Sequence, residues 1–470
     1  MQFNLNKILI IFQWVLIFAI PYLNTDPSAL FGLSSNIILL LMASICSMWV
    51  NLYVKNPFLE FFNTFFFIFF IFRIPFLLDV TFSSDLNIRP FAPENTEFLV
   101  NLLILHYLSI VGSILIFNPT FKSSTVVRNF VMGKRDFRNI LLFVLIIVFL
   151  NFFKSLLFFD IHGLNFSSFT AIFFTIFNNQ NVLAVFMLSI FFATKENIRS
   201  NTILISLILV VSFFEIIYTG SKSSLLHLIL IFYMAYLLKY RTFQFPLKYL
   251  YVFFALIPLI FITFLLGKLM RWIHMQDDLA NNFEAKLASI LNFDLINILD
   301  PVTYRIGYLD FYLEKISNEI YHPYISLNYY FKAFIDKITP GFDVYGVPFA
   351  SRAVYNVREG ASEVLNSELI TVFAESHLIF GSFSVFFYLF IAYLLQQILK
   401  FNRFNSFASI LFNYFVLFSF YWWLTGSGLD MVTALVIYQA IFILFVIMYL
   451  KYFKSSNIYH KERYGNKSGN

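Results

Sequence analysis

The sequence carries little charge for its length. Only 12% of its 470 residues are charged, 60% are hydrophobic, and the mean hydropathy is +0.77. Soluble domains contain about 25% charged and about 45–50% apolar residues, so this chain has about half of the usual charge. This number of charged side chains is too small to cover a surface exposed to water. The composition therefore indicates a protein that uses lipid as its solvent.

Several chemical motifs are also missing. The single cysteine, Cys46, lies in an apolar run, which excludes an intramolecular disulfide. The seven histidines are scattered, and no His/Cys cluster has the spacing of metal ligands. There is no Gly-rich phosphate loop ending in Lys-Ser/Thr, and no paired-aspartate site for a nucleotide-sugar diphosphate. ATP-driven transport and a soluble nucleotide-sugar donor are therefore unsupported, and we expect neither a metal nor a cofactor.

What the sequence does contain is a series of long apolar runs. A spanning helix needs about 20 mostly apolar residues, and runs near that length predict about twelve transmembrane helices in an all-α polytopic membrane protein. The first run follows Lys7 without a small-x-small cleavage site, so we interpret it as a retained helix. The predicted spans are 8–23, 36–54, 58–79, 98–118, 139–158, 169–193, 202–218, 222–240, 248–267, 380–399, 406–425 and 430–450.

The sixth predicted span contains a polar interruption. Asn178, Asn179, Gln180 and Asn181 follow one another in the middle of this apolar run. Polar backbone breaks are tolerated within a membrane only where they face protein or a wet cavity. The sequence therefore predicts a broken or re-entrant element here.

The distribution of lysine and arginine predicts the orientation. Cytoplasmic connections of membrane proteins are enriched in these residues. With a cytoplasmic N-terminus, the outer short connections hold only Arg89, Lys154 and Lys222, and an even number of spans places both termini in the cytoplasm. Short basic runs between apolar segments also argue against nucleic acid as a partner. The cytoplasmic basic residues would be Lys7, Lys55, Lys122, Arg128, Lys134, Arg135, Arg138, Lys195, Arg199, Lys239, Arg241, Lys248, Lys400, Arg403, Lys451, Lys454, Lys461, Arg463 and Lys467.

This topology divides the chain into four regions. Residues 1–267 hold the first nine spans, 268–379 form one large extracytoplasmic loop, 380–455 hold the last three spans, and 456–470 form a cytoplasmic tail. The loop is predicted to consist of helices joined by turns. Amphipathic stretches cover 283–299 and 308–320, turns are expected at Pro340-Gly341 and at Gly346 to Pro348, and a last helix from about Ser367 leads into the tenth span. The second stretch places Tyr308, Phe311, Tyr312, Ile316 and Ile320 on one stripe.

A polar turn between the seventh and eighth spans is the first candidate site. It runs from Thr219 to Ser224 and contains Lys222 among glycine and hydroxyl residues. A cation beside hydroxyls and the first N–H groups of a helix can receive a phosphate. The alternative is a lysine that snorkels to the membrane interface.

Arginines set among aromatic or apolar residues of the large loop are the second candidate. Guanidinium groups grip phosphate in bidentate fashion, and aromatic rings stack on sugar faces. The alternative is ordinary ion pairing with the acidic residues of the loop. The arginines are Arg271, Arg305, Arg352 and Arg358, and the neighbouring rings include Tyr304 and Tyr355.

Glu375 and His377 form the third candidate, where the loop returns to the membrane. A carboxylate or an imidazole at this position could activate a hydroxyl, and the alternative is a polar interfacial pair. Arg73 and Glu215 also stand out as charges within spans, where charges are costly and usually paired. They could pair with each other, or Arg73 could face the site.

Together these features resemble the Wzy-type O-antigen and oligosaccharide repeat-unit polymerases. The resemblance rests on the turn from Gly220 to Ser224, the Ser351-Arg352 pair in a large late loop, and Glu375 ahead of Phe380-Gly381-Ser382. The chain departs from the family pattern in having Lys222 where arginine is more usual, and Ser351 where proline often precedes the loop arginine.

The resemblance implies a GT-C-like bacterial inner-membrane enzyme without metal or nucleotide. Such an enzyme moves a growing glycan from undecaprenyl diphosphate onto the next lipid-linked repeat unit, and a chain-length regulator is a possible partner. Lys222, Arg305 and Arg352 would hold the diphosphate, with Arg271 and Arg358 as further candidates. Glu375 would position or deprotonate the acceptor, and the loop aromatics would hold the sugars. Two alternatives remain, an O-antigen ligase and a lipid-linked oligosaccharide flippase. A flippase would be expected to have short loops and two related halves, whereas this chain has one lopsided loop.

Overall fold

The computed structural model describes most of the helical part of the chain. The described residues are 2–4, 45–47, 49–50, 53, 56–66, 69–70, 96–118, 130–159, 168–219, 222–240, 244–246, 308–338, 344–359, 370–400, 406–424, 426 and 428–465. The predicted amphipathic stretch at 283–299 and the turn at Pro340-Gly341 lie outside these residues.

Helices dominate the described residues. We number them α1 Pro57–Phe66, α2 Thr96–Phe117, α3 Lys134–Phe159, α4 Ser168–Ile176, α5 Asn179–Phe192, α6 Lys195–Ser200, α7 Thr202–Thr219, α8 Lys222–Tyr240, α9 Tyr308–Ser317, α10 Leu327–Ile338, α11 Ala350–Glu359, α12 Val372–Phe380, α13 Ser384–Lys400, α14 Ser406–Leu424 and α15 Leu429–Gly465. Short 3-10 turns cover Glu319–Tyr321 and Gly381–Phe383.

The apolar helices correspond to predicted spans, with one correction: the tenth apolar segment begins at Val372 rather than at 380, so α12 belongs to it rather than to the loop. Segments long and apolar enough to cross a membrane are Lys134–Leu156, Ile172–Phe192, Val372–Leu399, Phe407–Leu424 and Leu429–Tyr452. They correspond to the fifth, sixth, tenth, eleventh and twelfth predicted spans. Shorter apolar helices at Asn101–Phe117, Thr202–Tyr218 and Leu230–Tyr240 match the fourth, seventh and eighth. The protein is thus a helical membrane protein, and the total of twelve spans stays a prediction.

The sixth span is broken, as its polar residues predict. α4 ends at Ile176 and α5 begins at Asn179, after a turn at Phe177. Such a break frees backbone carbonyls that need donors inside a membrane. Asparagine side chains supply them: Asn178 donates to Thr175 O (3.0 Å), Asn181 to Ile176 O (3.0 Å) and Asn151 of α3 to Phe177 O (2.8 Å).

Contacts between helix ends sort these ends into two groups. At one end, Met132 N donates to Phe192 O (2.9 Å), Lys239 Nζ donates to Phe191 O, and the Tyr449 hydroxyl donates to Asn139 O (3.2 Å). We call this the basic end, because it carries Lys134, Arg135, Arg138, Lys195, Arg199 and Lys451. At this end, Gln396 Nε2 of α13 also donates to the carbonyl of Phe117, the last residue of α2 (2.6 Å), so the C-terminal ends of α2 and α13 lie close together.

A small two-stranded sheet lies at the basic end and departs from the all-α prediction. Gln2–Asn4 pairs antiparallel with Gln244–Pro246, the segment that follows α8. Because α8 ends at the basic end, this pairing brings the N-terminal segment to the same end as Tyr449 of α15. Three residues per strand are too few to have left a period-two pattern in the sequence.

The large loop packs on the opposite end, which we call the loop end. The Tyr312 hydroxyl of α9 donates to Leu99 O of α2 (3.1 Å), and Tyr312 and Phe373 lie in the main hydrophobic core of the bundle. A second, smaller core joins the loop to the membrane helices. Its buried members are Tyr321, Ile325, Tyr330, Ala350, Val354 and Ile370.

The predicted amphipathic stripe at 308–320 needs one correction. Tyr312 is buried and Ile316 packs against the main core, but Ile320 is 56% exposed. The helix ends at Ser317, and the Asn318 side chain accepts a hydrogen bond from Ile320 N to start a 3-10 turn. This change of helix type rotates Ile320 away from the stripe. The irregular segment at Gly346 was predicted correctly, since Gly346 has φ +64°.

Candidate functional site

The exit of the loop is built by α12 and the residues before it. Thr371 caps α12, because its hydroxyl accepts a hydrogen bond from Ala374 N (3.2 Å). An N-cap of this kind fixes where the helix begins. Ile370 N donates to Gly426 O (2.8 Å), which ties the chain before α12 to the turn between α14 and α15. α12, which carries Glu375 and His377, is therefore held in a fixed position at the loop end.

The turn at Gly426 needs a glycine. Gly426 has φ +79°, and a Cβ atom at this residue would lie 2.6 Å from Ile370 O. Any side chain would be strained by the backbone conformation and would also clash with the backbone of Ile370. The close approach of these two segments thus depends on the missing side chain.

The Glu375 carboxylate lies inside this junction and is 1% exposed. Its Oε2 accepts a hydrogen bond from the Trp423 indole (3.0 Å), and its Oε1 accepts one from Leu429 N (2.6 Å). The acid thus joins α12 to the end of α14 and to the first residue of α15. Both oxygens are engaged by groups that hold the fold together.

Asp430 forms a second carboxylate junction next to the first. It is 2% exposed, and its Oδ2 accepts a hydrogen bond from Ala350 N, the first residue of α11 (2.8 Å). Its Oδ1 accepts one from Met431 N (2.8 Å). A negative charge at a helix N-terminus is stabilising, and here the charge comes from a membrane helix. Asp430 thereby anchors α11 of the loop to α15.

Further contacts fix the segment that leads into α11. Asp336 accepts hydrogen bonds from Tyr345 N and Val347 N, each 2.8 Å long, and the Tyr329 hydroxyl donates to Pro348 O (3.1 Å). Burial, followed by the charge of Asp430, raises the pKa of Tyr329. The phenol therefore remains a hydrogen-bond donor at physiological pH. We call the set Thr371, Glu375, Gly426, Asp430 and Asp336 the loop junction.

Arg352 is presented to solvent by the helix that this junction anchors. Ser351 and Ala353 beside it are buried, whereas Arg352 itself is exposed. Among the described residues, no carboxylate forms an ion pair with its guanidinium. Tyr355 follows on the same helix and is half-buried. The predicted loop cation is therefore held on a rigid element with its charge unneutralised by the described groups.

His377 is half-buried and lies among other imidazoles. Its ring centroid is 5.8 Å from that of His106 on α2, with the two rings nearly perpendicular. His322 of the loop is close enough to interact with it electrostatically. Unlike the Glu375 carboxylate two residues earlier, His377 lies at the edge of the buried region. Among the described residues, no group of three or more His, Cys, Asp or Glu side chains is placed to hold a metal ion.

Glu215 lies in a different polar cluster, near the break between α4 and α5. Its Oε1 accepts hydrogen bonds from the Asn179 amide and from the Ser155 hydroxyl (3.4 Å), and Lys154 interacts with it electrostatically. Gln180, the next residue of α5, bonds through its Nε2 to His227 Nδ1 (2.8 Å). We call Asn151, Asn178, Asn179, Asn181 and Glu215 the helix-break cluster.

The remaining predicted site residues are described in part or not at all. Lys222 is the first residue of α8 and Arg358 lies on α11, and in both cases the structure describes the backbone alone. Arg73, Arg271, Tyr304 and Arg305 lie outside the described residues. The suggested pair between Arg73 and Glu215 therefore stays a prediction. Arg352 and His377 belong to helices that share the smaller core, through Val354 and Leu378 respectively.

Sequence reasoning missed the groups that organise the site. These groups belong to Asp430, Trp423 and His106. All three lie in predicted apolar spans, and none was among the predicted site residues. The signal that could have found Asp430 is an acid two residues after Gly426-Ser427-Gly428, at the start of a span. Charges in spans are rarely without a partner, and Asp430 meets that expectation.

Comparison with other proteins gave no match. No protein-family model matches the chain, no curated protein does, and no solved structure does.

Proposed function

We propose that this protein is a membrane-embedded glycosyltransferase that polymerises lipid-linked oligosaccharides. It moves the growing glycan from undecaprenyl diphosphate to the next lipid-linked repeat unit, at the loop end, which faces away from the cytoplasm of a bacterial inner membrane. The observation that carries the proposal is the junction-anchored helix α11, which presents the exposed Arg352 beside the helix that holds His377.

Arg352 supports this reaction class because its charge is both fixed and accessible. The leaving group is a lipid diphosphate, whose negative charge grows in the transition state and is stabilised by preorganised cations. Guanidinium groups bind phosphate oxygens in pairs. Asp430 and the buried Ala350 and Val354 hold α11 in place, so little reorganisation is needed when the charge develops. Lys222, Arg271, Arg305 and Arg358 complete the cation set in this proposal.

His377 serves as the base in our proposal, and Glu375 holds the junction. A base must reach the acceptor hydroxyl, and both Glu375 oxygens already accept structural hydrogen bonds. The acceptor oxygen forms a bond to the anomeric carbon of the donor sugar, while the bond from that carbon to the diphosphate oxygen breaks. The electron pair leaves with the lipid diphosphate, and His377 takes the hydroxyl proton.

Aromatic side chains near the cation contribute the sugar contacts. Tyr355 lies one turn beyond Arg352 on α11, so both residues are on one side of the helix. Aromatic rings bind sugars through their apolar faces, and a tyrosine adds a hydroxyl for hydrogen bonding. Tyr304, next to Arg305 in sequence, has the same role in the proposal. The lipid diphosphate is itself an activated leaving group, so the proposed reaction requires no cofactor.

The first test is genetic and compares two exposed arginines. The gene is deleted in its native bacterium and replaced by the Arg352→Ala or the Arg199→Ala variant. Arg199 is exposed at the basic end, far from the proposed site. We expect Arg352→Ala to lower polymer formation roughly 10–100-fold, the loss associated with one charged hydrogen-bonding contact, and Arg199→Ala to leave it unchanged. Gel analysis of surface glycan gives the chain lengths, and a tagged protein gives the amount in the membrane.

The phenotype of the gene deletion distinguishes the polymerase from a ligase and from a flippase. Surface glycan reduced to single repeat units supports the polymerase, whereas unattached polymer that accumulates inside the envelope indicates a ligase. Lipid-linked repeat units trapped on the cytoplasmic face indicate a flippase. Long chains made by Arg352→Ala at normal protein levels would remove Arg352 from the site.

A further inference from the structure

An unexplained imidazole lies inside the membrane part of the bundle, directly behind the proposed base. His106 belongs to α2 and is 4% exposed. Its Nδ1 lies 2.7 Å from the Tyr388 hydroxyl of α13, a residue 282 positions away in sequence. The ring of Phe373 packs against it from α12. Three membrane helices thus hold one histidine in a fixed orientation.

The Tyr388 hydroxyl can accept a hydrogen bond from His106 Nδ1–H or donate one to a bare Nδ1, depending on the imidazole tautomer. In the tautomer in which Nδ1–H donates to Tyr388, the Nε2 of His106 is an acceptor.

This Nε2 has no hydrogen-bond partner among the described residues, although it is buried. A buried polar atom without a partner costs free energy, so its persistence calls for an explanation. The only other imidazole beside His106 among the described residues is that of His377, at 5.8 Å between ring centroids and 86° between planes. No hydrogen bond joins the two imidazoles in this arrangement.

We propose that His106 is a positioning residue for His377. His106 Nδ1–H donates to Tyr388, a rotation of the His377 side chain directs the N–H of its second ring nitrogen to His106 Nε2, and this hydrogen bond strengthens as His377 takes the acceptor proton. This inference rests on the proposed function. It adds to the proposed function a hydrogen bond that strengthens as the base becomes protonated.

Such a bond favours the reaction rather than substrate binding. A contact that is stronger in the transition state than in the ground state raises kcat without lowering KM. Hydrogen bonds to charged groups are stronger than those between neutral groups, especially away from water. Tyr388 contributes indirectly, because it accepts from Nδ1–H in the tautomer that leaves Nε2 free to accept.

The test uses purified full-length protein in lipid nanodiscs. The substrate is the lipid-linked repeat unit extracted from the deletion strain, and kcat and KM are measured for polymer formation. His106→Phe keeps a planar ring but loses the acceptor, whereas His106→Gln offers an amide oxygen in its place. Tyr388→Phe removes the hydroxyl alone. His227→Phe is the control, since it changes another imidazole, half-buried on α8.

We expect His106→Phe to lower kcat roughly 10–100-fold with KM within about twofold. His106→Gln should recover part of the loss, Tyr388→Phe should lose less than His106→Phe, and the double variant should be no worse than His106→Phe alone, because the two residues act through one contact. His227→Phe should retain the wild-type kcat.

Three results would overturn the inference. They are a wild-type kcat for His106→Phe, a His106→Gln variant no better than His106→Phe, and a loss that merely follows the folded fraction measured by size-exclusion chromatography. If the wild-type protein itself makes no polymer from these substrates, the proposed function fails, and the inference fails with it.

Discussion

The loop junction and the helix-break cluster both contain buried polar groups, but the two regions supply hydrogen-bond partners to these groups in different ways. At the loop junction, Glu375 and Asp430 accept hydrogen bonds from the Trp423 indole and from backbone N–H groups at the starts of α15 and α11. In the helix-break cluster, by contrast, asparagine side chains donate to carbonyls that the break between α4 and α5 leaves open.

This difference in hydrogen bonding indicates which region is better suited to position catalytic groups. The carboxylates of the junction connect segments that are far apart in sequence, and so they position the loop on the bundle. The amides of the cluster act mainly on their own neighbourhood and repair one helix. A base or a phosphate-binding cation is therefore better placed beside the junction, because the junction holds α11 and α12 rigidly while leaving Arg352 and His377 accessible.

The largest effect on folding is expected from Gly426→Ala at the junction. The added Cβ meets Ile370 O at 2.6 Å and the backbone is held at φ +79°, so we expect a loss of about 3 kcal/mol. Gly112→Ala is the matched control, because Gly112 lies in α2 with nothing within 4 Å of an added Cβ. It should be neutral or slightly stabilising. Thermal unfolding of the purified proteins in detergent gives both values, and equal unfolding temperatures would contradict the junction.

A smaller effect is expected from Asn151→Leu in the helix-break cluster. Asn151 is 4% exposed and donates to Phe177 O, so the leucine leaves a buried carbonyl without this donor. We expect a loss of about 1–2 kcal/mol. Glu215→Gln is the comparison within the same cluster, and it should cost less because an amide oxygen can still accept. A larger loss for Glu215→Gln than for Asn151→Leu would show that the acid, rather than the asparagines, stabilises the break.

The sequence was informative wherever one local pattern determines the structure. Apolar runs located every span that the structure describes, and the polar residues at 178–181 located the break. Lys222 was correctly expected near the start of a helix, at the end of the bundle opposite most of the basic residues. These features depend on residues that are neighbours in the chain.

The organisation of the site could not be predicted, because it depends on pairs that are distant in sequence. No periodicity indicates that Asp430 caps α11 or that His106 meets Tyr388, 282 residues away. The sequence also could not distinguish Glu375 from His377, since both are polar residues on one turn of α12. Burial separates them: the carboxylate is enclosed and fully hydrogen-bonded, and the imidazole is half-buried.

The division of roles between Glu375 and His377 is the central claim, and one paired measurement tests it. The Glu375→Gln and His377→Gln variants are purified in nanodiscs, and for each we measure the unfolding temperature and the rate of polymer formation per folded molecule. We predict that His377→Gln unfolds like the wild type and loses roughly 100-fold or more in rate, as expected for a general base. Glu375→Gln should instead lose about 2 kcal/mol of stability, because one of its two buried donors is left without an acceptor. Wild-type polymerisation by His377→Gln, or a stable and inactive Glu375→Gln, would contradict the account.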